Sequence, residues 1–211
     1  MRRPTATVAT LLGLLSACSA ADRLASPEPS QPVQQQSEES ALGFLTNAPG
    51  APSLAATSVS FWAVKGQDRL ISMYFHKRPG RPDSSEFVRF KVTKRSLINR
   101  PDGTPIAAGD SILITLTITD STRRIVDFQP AGLGFDPQRP AKLWIWSAES
   151  DADVNHDGVV NQTDINLLQG ALIWRQEQVG LPWSSQATTL DLTTDQYETT
   201  VGGFTRYAVA Y

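Results

Sequence analysis

The sequence of 211 residues contains one cysteine, two histidines and no strong excess of either charge. The single cysteine, Cys18, cannot form a disulfide within the chain. A formal net charge of −2 gives no reason to expect a nucleic-acid partner. No nucleophile is paired with a base in the sequence, and His76 and His156 do not have the spacing of metal ligands. We therefore do not expect an enzyme.

Long apolar runs are also missing, and the one near the N-terminus is short. Residues 6–15 follow two arginines; they are too few to span a bilayer, but they suit the apolar core of a signal peptide. Residues 15–18, Leu-Ser-Ala-Cys, resemble a bacterial lipobox, in which the cysteine is lipidated and becomes the first residue after cleavage. The resemblance implies a signal peptide over residues 1–17 and an exported protein. It also implies a lipid anchor on Cys18 that makes the membrane a partner, on the periplasmic or cell-surface side of the bacterial envelope. An ordinary signal peptide with an incidental cysteine is the alternative.

The stretch that follows, residues 18–56, is rich in serine, alanine, proline and glutamine and has almost no aromatic residues. Such a composition buries too little apolar surface to offset the entropy lost on ordering the chain. It predicts a disordered tether between the anchor and a folded domain over residues 57–211. The alternative is that part of the stretch belongs to the fold.

Short strands separated by proline, glycine and aspartate turns dominate the sequence from residue 57 onward. The clearest lies at residues 87–92, where Phe87, Arg89 and Lys91 alternate with Val88, Phe90 and Val92. Other apolar or β-branched runs lie at residues 59–64, 70–75, 112–118, 124–128, 142–146, 171–174 and 207–211. The pattern predicts an all-β fold, an antiparallel Ig-like sandwich or a barrel. Only residues 163–172 look helical, with Ile165, Leu168 and Leu172 on one face.

Two segments carry a family resemblance. Residues 126–135, Val-Asp-Phe-Gln-Pro-Ala-Gly-Leu-Gly-Phe, and the Pro-Ala-Lys-Leu of residues 140–143 resemble a stretch of the β-sandwich domain shared by netrin receptors and ankyrins. Residues 203–210 are similar to the last strand of its bacterial exported relatives. The resemblance covers residues 105–147 and 171–211, and it implies a structural or interaction module without catalysis.

Residues 153–164 have the spacing of an EF-hand calcium loop. Calcium takes six to eight oxygen ligands, which such a loop supplies at alternate positions. The candidate ligands are, in order, Asp153, Asn155, Asp157, the carbonyl of Val159, Asn161 and Asp164. Gly158 stands at the sixth position, where a sharp turn with a positive φ is needed, and Val160 at the eighth is expected to anchor the loop to the core. The alternative is a turn rich in Asp and Asn that binds no metal.

The loop departs from a full EF-hand, since its last ligand is an aspartate and a strand rather than a helix precedes it. An exiting helix alone, with aspartate at the twelfth position, resembles the dockerin repeat. Dockerins have two such repeats and this chain has one, so their recognition of cohesins at the positions of Gln162 and Thr163 is not transferred. We expect an insertion at residues 150–172 that acts as a structural calcium clamp.

The sequence thus predicts a calcium-binding, non-catalytic, lipid-anchored module. Two alternatives stay open: an adhesion or polysaccharide-associated module with a protein or polysaccharide partner, and a hydrolase with an unrecognised site. A basic turn around His76, Lys77, Arg78 and Arg81 is expected to be solvated, although it could meet anionic headgroups or polysaccharide. We expect five tryptophans to lie in the core rather than form a sugar-stacking platform: Trp62, Trp144, Trp146, Trp174 and Trp183.

Overall fold

Alternation of apolar and polar residues produces strands along most of the chain. The computed structural model describes residues 42–211, so the predicted signal peptide, Cys18 and the first part of the predicted tether lie outside the described residues. The strands of the described part are β1 (Ser58–Val64), β2 (Arg69–Tyr74), β3 (Glu86–Val92), β4 (Leu97–Asn99), β5 (Ser111–Asp120), β6 (Ile125–Gln129), β7 (Gly134–Phe135), β8 (Ala141–Trp146), β9 (Leu172–Gln176), β10 (Trp183–Ser185), β11 (Thr188–Asp191), β12 (Gln196–Val201) and β13 (Arg206–Ala210). One helix, α1, covers Gln162–Gly170 in this part of the chain. That helix is too short to cross a membrane, and no other helix among residues 42–211 could do so.

The strands form two main antiparallel sheets. One has six strands in the order β1-β5-β6-β13-β9-β10, and the other has five in the order β11-β12-β8-β3-β2. Strands β4 and β7 form a separate antiparallel pair. The prediction of an all-β, antiparallel, sandwich-like fold with one short helix is confirmed.

The core lies between the two sheets and is built from the inward residues of each strand. In β5, Ile112, Ile114, Leu116 and Ile118 are buried while the intervening side chains point outward. Phe90 of the five-stranded sheet meets Phe128 of the six-stranded sheet, with ring centroids 4.8 Å apart. Burying one such side chain contributes roughly 1.5–3 kcal/mol, so this contact between sheets is a main source of stability.

The segment before β1 belongs to the fold. Leu45 is only 1% exposed, and its amide donates to the carbonyl of Val209 at 2.9 Å. Phe44 pairs with Ala210, and Leu54 pairs with Phe75. The prediction of a tether up to residue 56 is therefore wrong for residues 42–56, because the apolar pair at 44–45 adds to the last strand and buries its side chains.

The predicted insertion also has different limits. Strand β8 leads into it, as predicted, and no helix precedes the loop in this described segment. The helix ends at Gly170, and Leu172 begins β9 rather than completing the apolar face of the helix. The insertion therefore spans residues 147–171, between two strands of different sheets.

Candidate metal centre

The start of helix α1 is fixed by two of the predicted calcium ligands. The side-chain oxygen of Asn161 accepts a hydrogen bond from the amide of Thr163 at 2.7 Å, and the amide of Asn161 donates to Oδ2 of Asp164 at 2.8 Å. This reciprocal arrangement is a capping box, which satisfies amide groups that a helix leaves without partners at its first turn. The same two residues that end the loop thus begin the helix.

Asp164 joins the two ends of the loop. Its side chain is only 1% exposed, and its Oδ1 accepts hydrogen bonds from the amides of Val154 at 2.8 Å and Asn155 at 3.2 Å. Together with the bond from Asn161, these donors lower the pKa of Asp164 below its ordinary value, against the opposing effect of desolvation. The carboxylate at the twelfth position is therefore held in its charged form inside the loop.

Asp153 holds the turn at the middle of the loop. Its Oδ1 accepts from the amide of Asp157 at 3.1 Å, and its Oδ2 accepts from the amide of Gly158 at 2.8 Å. Gly158 has a φ of +87°, a left-handed conformation that only glycine adopts without strain. The predicted sharp turn at the sixth position is confirmed.

Asn155 and Asp157 contact each other beside this turn. The Oδ1 of Asn155 accepts from the amide of Asp157 at 3.0 Å, and the Nδ2 of Asn155 donates to Oδ2 of Asp157 at 3.0 Å. The Oδ1 of Asp157 accepts from the amide of Val159 at 2.8 Å, and the Nδ2 of Asn161 donates to the carbonyl of Val159 at 2.9 Å. All six predicted ligand residues are thus linked by hydrogen bonds within one loop.

The donor set suits calcium in its chemistry, because it offers carboxylate, amide and carbonyl oxygens and no nitrogen or sulfur ligand. In the part of the chain that the structure describes, however, no three histidine, cysteine, aspartate or glutamate side chains lie close enough together to hold a metal ion. The side chains of Asn155 and Asn161 also turn their NH₂ groups, and not their carbonyl oxygens, toward Oδ2 of Asp157 and the carbonyl of Val159. Binding would therefore require these amides to turn and the carboxylates to move inward.

Val154, not Val160, anchors the loop to the domain. Val154 is 4% exposed and belongs to the core, whereas Val160 is 63% exposed. The hydroxyl of Tyr211 donates to the carbonyl of Val154 at 2.6 Å, so the end of the six-stranded sheet holds the second position of the loop. Burial, with Asp164 and Asp153 nearby, raises the pKa of Tyr211 and keeps this donor protonated. The prediction for Val160 is wrong, because the chain places the second position, rather than the eighth, against the core.

The segment before β1 also contacts the insertion. The amide of Asp151 donates to the carbonyl of Thr46 at 2.9 Å, and the hydroxyl of Thr46 hydrogen-bonds with Nε2 of His156 at 3.3 Å. From the other side, the hydroxyl of Tyr197 donates to the carbonyl of Leu168 in helix α1 at 2.6 Å. The candidate site is thus held from three directions by the sandwich.

A buried arginine that the sequence did not reveal positions the start of the insertion. Arg124 is fully buried and donates to the carbonyls of Trp146 and, at 2.9 Å, Ala148. Its guanidinium lies over the rings of Phe75 and Phe87, at 5.8 and 5.6 Å from their centroids. Burial lowers the pKa of Arg124 to about 10, which still leaves the side chain charged at neutral pH.

Beside it, Glu149 receives hydrogen bonds from Arg78 and, at 2.9 Å, from Ser85. The hydrogen bond from Arg78 is the main cause of a lowered pKa of Glu149. The expectation that the basic turn is simply solvated is therefore wrong for Arg78. Neither Arg124, at the start of a predicted strand, nor Arg78, in the basic turn, gives a sequence signal of these contacts.

The tryptophans do not share one environment. Trp146 and Trp183 are buried and Trp144 and Trp174 are half-buried, but Trp62 is 60% exposed on the outer face of edge strand β1. The expectation that all five lie in the core is wrong for Trp62.

Comparison with known proteins found that no protein-family model, no curated protein and no solved structure matches this chain.

Proposed function

We propose that the protein is a non-catalytic module that binds calcium in the loop of residues 153–164. The observation that carries the proposal is the position of Asp164, whose charged, nearly buried carboxylate closes a loop with oxygen donors at every required position. A carboxylate held inside a loop by amide groups alone carries an uncompensated negative charge, which a divalent cation would neutralise.

The carboxylates of the loop keep acceptor sites for the ion, and Asn155 and Asn161 would offer theirs after their amides turn. A carboxylate oxygen has two lone pairs, and each oxygen of Asp153 accepts one hydrogen bond in the loop. Asp157 and Asp164 would add their carboxylates, Asn155 its side-chain carbonyl and Val159 its backbone carbonyl. Asn161 would bind directly or through a water molecule. Three carboxylates against one divalent ion leave one excess negative charge, which favours retention of the cation.

Calcium would act here as a clamp rather than as a switch. The loop lacks a second helix that could open, and its neighbours are strands of a packed sandwich. An ion that binds only the folded state stabilises it, by about 2.7 kcal/mol at a free concentration 100-fold above the dissociation constant.

Thermal melting during a calcium titration tests this proposal. The melting temperature should rise with calcium, and the fluorescence of Trp146 and Trp174, in the strands on either side of the insertion, should report binding. Asp157→Ala should abolish both responses, whereas Asp83→Ala removes an exposed carboxylate on the turn before β3 and should leave them intact. An unchanged melt of the wild-type protein across millimolar calcium would remove the proposal.

We also propose export and lipid anchoring through Cys18, from the Leu-Ser-Ala-Cys sequence that precedes the tether. Each buried CH₂ of an acyl chain contributes about 0.8 kcal/mol, so two or more chains hold a protein on a membrane. The wild-type protein expressed with its own leader should partition into detergent, and Cys18→Ser should stay in the aqueous phase. Aqueous partition of both would contradict the anchor.

The resemblances to the netrin-receptor and ankyrin sandwich and to the dockerin repeat stay part of the same proposal. They are consistent with a module that binds rather than reacts. A second candidate function, association with a polysaccharide, is favoured by a basic groove on the five-stranded sheet.

A further inference from the structure

A groove of about 540 Å³ lies at one end of the five-stranded sheet, away from the calcium loop. It is bordered by the turn after β3, the turn before β8 and the end of β12. Four cationic side chains line it, against the single carboxylate of Asp68: Lys94, Arg95, Arg139 and Lys142. This local excess of positive charge stands on a chain whose formal net charge is −2.

Most of this positive charge is not neutralised by the protein itself. Lys142 pairs with Glu198 at 2.6 Å, and Asp68 accepts from the backbone amide of Lys94 at 2.7 Å. Among residues 42–211, Lys94, Arg95 and Arg139 have no carboxylate within ion-pair distance. Their side chains are free to meet an anion from solution.

The lining decides between classes of anionic ligand. None of the residues that line the groove, all within residues 42–211, is aromatic. The groove therefore offers no surface on which nucleic-acid bases could stack. The groove is shallow, so vesicles of anionic lipid are compared with a polysaccharide in the binding test. Its walls combine Pro140 with the aliphatic stems of lysine and arginine, which can cover the CH faces of sugar rings while the charged ends meet carboxylates.

We propose that this groove binds an acidic polysaccharide, with Arg95 and Arg139 pairing to its carboxylates. Arginine is suited to this role because its planar guanidinium offers two parallel donors to one carboxylate. Both side chains are exposed on turns at the ends of strands, where an extended ligand in the groove can meet them.

Binding of the full-length protein to immobilised polygalacturonate tests the proposal. The measurement is made at low salt in the presence of EDTA, so that it does not depend on calcium in the loop. The calcium proposal and the polysaccharide proposal can then fail independently of each other. The wild-type protein should bind, and its affinity should fall as salt screens the charges. The double variant Arg95→Glu/Arg139→Glu should weaken binding by about tenfold or more, which is about 1.4 kcal/mol. Lys94→Glu alone should weaken it less.

The matched control is Lys77→Glu/Arg81→Glu, which changes the net charge by the same amount on a turn outside the groove. This control should retain wild-type affinity, and neutral dextran should not bind. Equal weakening in both double variants would show attraction by net charge alone and overturn the proposal. Absence of wild-type binding would overturn it as well. So would tighter binding to single-stranded DNA or to vesicles of anionic lipid than to polygalacturonate.

Discussion

The sandwich core and the loop of residues 153–164 are held together by different interactions. The core depends on apolar packing between two sheets, as in the contact of Phe90 with Phe128. The loop depends on hydrogen bonds from backbone amides to the carboxylates of Asp153 and Asp164. Apolar packing does not depend on the protonation of acids, whereas the hydrogen bonds of the loop need charged carboxylates and, under our proposal, the loop also gains stability from calcium. The stability of the sandwich and the stability of the insertion should therefore respond differently to solution conditions.

The largest effect should come from the core. Phe90→Ala removes a buried ring that contacts Phe128, Phe135 and Phe204, and it should destabilise the protein by about 3–5 kcal/mol. Chemical denaturation at neutral pH measures the loss, which should be the same with calcium and with EDTA. A loss that depends on calcium would contradict the separation between the two regions.

A smaller effect is expected where the two regions meet. Val154→Ala removes two buried methyl groups and should lower the free energy of unfolding by about 2 kcal/mol, because each buried carbon contributes about 0.8 kcal/mol and a cavity remains. Val160→Ala is the matched control, since it makes the same change at an exposed position. Equal losses in urea denaturation would contradict the assignment of Val154 as the residue that anchors the loop.

The smallest effect is a local response to acid at Asp164. Its pKa is lowered in the folded state, so its charged form contributes stability above the ordinary aspartate value of about 3.9. This contribution is lost as the pH falls through the lower folded pKa. An NMR titration of the Asp164 carboxyl carbon should give a midpoint below the ordinary value, while core resonances stay unchanged. Asp164→Asn should remove the transition, and a midpoint at or above the ordinary value would contradict the geometry of the loop.

Local patterns in the sequence predict local structure well in this protein. Strict alternation marks β3, and the spacing of Asp153, Gly158 and Asp164 fixes the turn of the loop before any fold is known. These features depend only on residues that are close in the chain. Glycine at the sixth position is a conformational requirement that no distant contact has to supply.

Features that depend on distant partners were not predictable in the same way. Strand β12 contains glutamine, glutamate and threonine, and it becomes a strand by pairing with β8 and β11. Val154 and Val160 look equally apolar, and only the packing of the loop against the core decides which of them is buried. Arg124 and the groove around Arg139 likewise arise where separate strands and turns meet.

The pairing of residues 43–45 with the last strand also has a mechanical consequence. Gly43 and Tyr211 exchange two hydrogen bonds, at 3.2 and 2.9 Å, and Leu45 adds a third to Val209. A pull on residue 43 directed along β13 would load these bonds side by side, in shear, rather than open them one after another. The force would then pass into β13, which lies between β6 and β9 inside the six-stranded sheet. The domain would thus resist tension at one of its best-supported strands, with the insertion of residues 147–171 linked to the same point through Tyr211.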